Sequence, residues 1–128
     1  MFSISIPDCH TFTVSGYSYH YNFKPLPKST DGQVYVRFSV RAEKDVLISL
    51  VAENNDLPNM YEIVIGGWGD TGSVIRRKKQ ELPPATQVDN PSGWLDAQQY
   101  KQFWVRATPG TDPDGGATVT VAVGQGSA

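Results

Sequence analysis

The sequence has a single cysteine, Cys9, so no intrachain disulfide can form. A chain of 128 residues can bury one core without such staples, and a single domain over 1–128 is expected. Cys9 reads as a small buried residue rather than a nucleophile. Only two histidines, His10 and His20, are present, which leaves few general bases. Neither shares metal-ligand spacing with the cysteine, so no zinc site is expected. There is no G-x-S-x-G nucleophile elbow. No apolar run approaches membrane-spanning length, so membrane insertion is not expected. The opening "MFSISIPDCH" lacks a basic n-region and a long apolar h-region. A signal peptide is therefore not expected, and the chain reads as cytosolic, or as exported with its leader removed. An excess of one charge is also lacking: 11 Lys and Arg stand against 13 Asp and Glu, a net −2. That balance gives no general pull toward nucleic acid or anionic lipid. Helix signals are scarce. The one candidate is "DAQQYKQ" at 96–102, with Asp96 as N-cap, a turn or two at most.

What the chain does have is period-2 alternation. "TFTVSGYSYHYNF" (11–23) carries an aromatic row from Tyr17 to Phe23, and His20 reads there as a satisfied strand residue. In "QVYVRFSVRA" (33–42), Val34, Val36, Phe38 and Val40 line one apolar face. "EKDVLISLVAE" (43–53) reads as its returning hairpin strand. "MYEIVIGGW" (60–68) and "SVIRRKKQ" (73–80) read as a second pair. "ELPPATQVDNPSG" (81–93) is Pro-rich and reads as irregular. "QFWVRAT" (102–108) and "ATVTVAV" (117–123) form a last pair joined by "PGTDPDGG". About eight short strands with turn signals between them predict an all-β antiparallel sandwich with at most one short helical turn.

Residues 67–72, Gly-Trp-Gly-Asp-Thr-Gly, spell G-x-G-x-x-G directly after a strand. A dinucleotide or S-adenosyl loop needs a helix next, whose N-terminal amides hold the phosphate or carboxylate. Here "SVIRRKKQ" and then Pro83-Pro84 follow, and Asp89 falls in the Pro-rich loop rather than at a strand end. The expectation is no cofactor. Gly66 and Gly67 suggest a bulge, and "GDTGS" a hairpin turn. Trp68, between glycines, is either packed flat over bare backbone or presented to solvent.

"MYEIVIGGWGDTGSVIRR" resembles the central signature of the farnesoic acid O-methyltransferase-like domain. "VRFSVRAEKDVLISL" upstream resembles that family's strand pair, and "YKQFWVRATPG" downstream its closing Phe-Trp strand. The resemblance spans about positions 12 to 124. It departs at "TDPDGGATVTVAVGQG", where family members more often carry a short Gly-rich turn. The family name implies methyl transfer, whereas the residues offer no S-adenosyl fold, so no enzymatic activity is expected. Members occur in multidomain animal proteins beside adhesion and defence modules. The resemblance thus implies a recognition module of the kind used in innate immunity, one that binds carbohydrate.

A sugar site needs an aromatic face to stack on the C–H face of a pyranose, with polar groups placed for the hydroxyls. The candidate ligand-binding set is Trp68, Asp70, Thr71, Arg76, Arg77 and Glu62, the last sharing a side with Trp68 by parity. A second group is Trp94, Asp96 and Tyr100, while Trp104 reads as core. Arg76, Arg77, Lys78 and Lys79 read as a solvated strand end. Asp112 and Asp114 form a fragment of a calcium loop and read better as a hairpin turn. The leading expectation is a lectin-like module for glycans or glycoconjugates. A shallow single site then calls for a homo-oligomer to gain avidity, through a sheet edge or an apolar sheet face. The alternative is a protein-interaction or assembly module without sugar affinity.

Overall fold

The computed structural model describes residues 2–6, 10–14, 30, 32–51, 60–77 and 83–126. Among the described residues, nine strands form two antiparallel sheets. They are β1 (Phe2–Ile6), β2 (His10–Val14), β3 (Val34–Arg41), β4 (Val46–Val51), β5 (Met60–Gly66), β6 (Gly72–Arg76), β7 (Thr86–Asp89), β8 (Lys101–Thr111) and β9 (Ala117–Gln125). The first sheet runs β2-β1-β3-β8-β9 and the second β4-β5-β6-β7. The expected antiparallel β-sandwich is what forms. The helical turn is Gly67–Asp70. No helix among the described residues is long and apolar enough to cross a membrane.

The core is built from the alternating residues of both sheets. Phe38 and Val40 of β3 meet Phe103 and Val105 of β8, then Val46, Ile63, Ile65 and Ile75 from the second sheet. Phe38 and Phe103 are register partners with ring centroids 6.0 Å apart. Such offset aromatic pairs add to what area burial alone contributes.

Several readings change. The stretch after β3 is not a hairpin return: β3 and β4 belong to different sheets. Residues 42–45 carry the chain across, with Ala42 buried and Asp45 at φ 56. Both strands present an apolar face, and two such faces bury better against each other than side by side. The "irregular" 81–93 contains β7, which pairs with β6 from Gly72↔Asp89 to Ile75↔Thr86. The predicted helix at 96–102 does not form. Asp96 does cap, its Oδ1 accepting from the amides of Gln98 and Gln99 at 2.6 and 3.0 Å, but the turn leads straight into β8. The β8–β9 hairpin closes as expected: Asp112 Oδ1 accepts from the amides of Asp114 and Gly116 at 2.9 and 2.7 Å. No cluster of three metal-ligating side chains occurs among the described residues. Cys9, His20 and the whole aromatic row from Tyr17 to Phe23 lie outside the described residues, as do Lys78 and Lys79.

Trp104 is not core. Phe103 and Val105 face inward, so Trp104 between them lies on the outer side of the five-stranded sheet. Its indole rests against Gly124, its register partner on β9; a Cβ there would collide with Cζ2, Cε2 and Nε1 of the ring.

Candidate functional site

Three connections gather at one end of the sandwich: residues 42–45, the β5–β6 loop and the β7–β8 connection. The Asp45 amide donates to Gly66 O at 2.9 Å, and the Ala42 amide to Asp96 O at 3.0 Å. The glycine motif is the β5–β6 loop. Gly67 and Gly72 bridge its mouth. Between them the backbone makes one left-handed turn, with φ 53 at Trp68, 73 at Gly69 and 64 at Asp70. The Thr71 amide closes it onto Gly67 O at 3.0 Å. Left-handed backbone costs an L-residue roughly 1–2 kcal/mol, so Trp68 and Asp70 are held there by their surroundings.

Those surroundings are specific. Asp70 Oδ1 accepts from the Trp94 amide and Oδ2 from the Leu95 amide, each at 3.1 Å. A Cβ on Gly66 or on Gly93 would collide with the same carboxylate. The two glycines make room for a side chain that bolts the β5–β6 loop to the β7–β8 connection. The Asn90 amide adds a bond to Thr71 O at 2.7 Å. Thr71 Oγ1 donates to Trp68 O at 2.8 Å, fixing the turn from its other side.

Trp68 combines both states open to it. One edge of the indole packs on bare backbone: Cε3 lies 3.4 Å from where a Cβ of Gly72 would be. Yet the residue is 57% exposed. Val88 of β7, an edge strand among the described residues, is also exposed, and its carbonyl borders the same glycine.

The structure brings Trp68, Asp70 and Thr71 together and adds Trp94 through an Asp70 bond, while Asp96 is tied in by its carbonyl, which accepts from the Ala42 amide. It does not add Glu62 or Arg76. Glu62 is on the outer face of the second sheet, four residues down the strand from Gly66, about 13 Å at 3.3 Å per residue. Its side chain has 0% exposure, and Arg76, at 12%, donates from Nη1 to its Oε1 at 2.7 Å. Arg76 is thus half of a buried ion pair rather than a solvated strand end. Arg77 is exposed just beyond β6, remote from the loop. Tyr100 is exposed beneath the Arg41 guanidinium, 5.2 Å from its ring centroid.

Sequence reasoning missed Asn90. It is 8% exposed, and neither Nδ2 nor Oδ1 has a hydrogen-bond partner among the described residues. The Asn90-Pro91 dipeptide signals a turn, but nothing in it announces a buried amide beside the loop.

The fold and loop define a two-sheet antiparallel β protein with an exposed, backbone-strained tryptophan at one end. The chain belongs to the farnesoic acid O-methyltransferase family, whose model matches residues 17–126. No curated protein and no solved structure matches it. The family name carries a methyl donor with it, and this loop does not fit S-adenosyl chemistry. An antiparallel strand follows the glycines instead of a helix N-terminus, and the Thr71 amide is committed to Gly67 O.

Proposed function

We propose that the protein is a non-enzymatic carbohydrate-recognition module and that Trp68 is its stacking platform. The observation that carries this reading is the exposed indole held in left-handed backbone at the tip of a loop fixed by Asp70. Strain of this kind concentrates at ligand clamps, where a rigid aromatic lowers the entropy lost on binding. Thr71, whose hydroxyl donates to the Trp68 carbonyl, and Asp89, register partner of Gly72, carry oxygens at the loop for sugar hydroxyls. Trp68→Ala is expected to weaken binding to the best neutral glycan on an array at least about tenfold, equivalent to about 1.4 kcal/mol. The circular dichroism spectrum should not change. Equal affinity in the variant would remove Trp68 from the site.

The same reading calls for several copies acting together. Strand β9, "ATVTVAVGQ", is an edge among the described residues and has no charge or proline, the kind of edge that pairs with its own copy. Light scattering is expected to return a dimer or larger. A monomer at tens of micromolar would leave avidity without a structural source. The second reading, a protein-interaction module, draws on exposed Val88 next to Trp68 on edge strand β7. A blank array from folded protein selects it.

A further inference from the structure

The net charge of −2 hides a polarised molecule. Strands β3, β8 and β9 contain no Asp or Glu at all, while β3 and β8 carry Arg37, Arg41, Lys101 and Arg106. Three of these cations share one surface. Val36, Phe38, Val40, Phe103 and Val105 point into the core, so Tyr35, Arg37, Arg41, Trp104 and Arg106 occupy the outer face of the five-stranded sheet. No carboxylate pairs with Arg37, Arg41 or Arg106 among the described residues.

The aromatics on this face hold two of the three arginines in place. Trp104 lies on Gly124 and stacks with Tyr35, centroids 6.4 Å apart at 27°. The Arg106 guanidinium sits 5.1 Å from the Trp104 ring, and that of Arg41 5.2 Å from Tyr100. Cation–π contacts limit where a guanidinium can go while leaving its N–H groups able to donate. Arg37 stands between them, across from Trp104, and is exposed. Arg37 and Arg41 are separated by about 13 Å along the strand at 3.3 Å per residue. The face therefore offers spaced, preorganised donors for an extended chain of anionic groups.

We infer that the outer face of the five-stranded sheet binds an acidic polysaccharide, with Arg37, Arg41 and Arg106 holding its sulfate or carboxylate groups. Single-stranded nucleic acid fits less well. Its binding relies on open aromatic platforms, and here guanidiniums already cover the Trp104 and Tyr100 rings. The surface is separate from the Trp68 loop and does not depend on the reading given to that loop.

The test is calorimetric titration of the full chain with dextran sulfate, neutral dextran and a single-stranded oligouridine at matched low salt. Dextran sulfate is expected to bind, to weaken steeply as salt rises, and to bind Trp68→Ala equally well. Neutral dextran should not compete for this face. A single Arg37→Gln or Arg41→Gln should weaken dextran sulfate binding about fivefold or less, as for exposed ion pairs, and the double variant more than tenfold. Arg37→Lys with Arg41→Lys keeps the charge and should recover most of the affinity if the fold is intact. The proposal is overturned if dextran sulfate fails to bind, if the double glutamine variant binds as well as the parent, or if oligouridine binds as tightly.

Discussion

Replacing Asp70 with alanine is expected to lower stability by about 3 kcal/mol, a drop of about 10 °C in Tm. The carboxylate accepts two backbone amides, those of Trp94 and Leu95. Bonds to a charged acceptor contribute more than neutral ones, and both amides lose their partner at once. Alanine also tolerates left-handed backbone less well than aspartate, and this position sits at φ 64. Asp70→Asn should cost about half as much, because it keeps one acceptor oxygen and suits the same backbone. Thermal melts give the size of the effect, and amide exchange gives its place: the Trp94 and Leu95 amides should exchange faster in the alanine variant. A Tm within about 2 °C of the parent would mean that Asp70 does not bolt the two loops together.

The largest effect is expected at the Glu62–Arg76 pair. Arg76→Met leaves the Glu62 carboxylate in a place with 0% exposure, without its 2.7 Å partner. Removing one member of a buried pair costs about 3–5 kcal/mol, because the remaining charge loses its closest counter-charge where water does not replace it. Adding Glu62→Gln to Arg76→Met should recover more than half of that loss, since the neutral amide has nearly the same shape. The cycle is then strongly non-additive. Denaturant melts of the two single variants and the double variant measure it. Additive losses would show that the pair contributes little as a pair.

The strands that could be read from the sequence were those with one apolar face. β3, β8 and β9 alternate, and alternation survives into the fold because each has one side in the core. The β5–β6 turn was legible for the same kind of local reason, since glycines flank it and no helix former follows. What alternation does not reveal is which sheet a strand joins. β4 has the right pattern to return beside β3, but it crosses to the other sheet. Nor does it say which side of a two-sided strand is wet. Met60, Glu62 and Val64 of β5 are buried along with Ile63 and Ile65, so parity placed Glu62 correctly by side and wrongly by environment. Trp104 erred the other way: a large aromatic in mid-strand reads as core, whereas here it covers a glycine on the outer face. Of the candidate site, Trp68 and Thr71 stand where the motif put them. Asp70 is there too, but its contacts run to Trp94 and Leu95, and no sequence spacing predicts that pair of bonds.

The strand order also bears on how the chain assembles. The second sheet is a meander in which each strand pairs with the next, from β4 through β7. Its closures are local, as at Val64↔Val74. The first sheet is closed by β3 meeting β8, with Val34 opposite Ala107 and the whole meander looped out between them. Closing that long loop costs more chain entropy than any hairpin, and contacts of this separation slow folding. The β3–β8 closure is expected to be the late step of folding, after the local hairpins of both sheets. A substitution such as Phe103→Ala, at that closure, should act mainly by speeding unfolding, whereas one in β5 or β6 should slow folding itself.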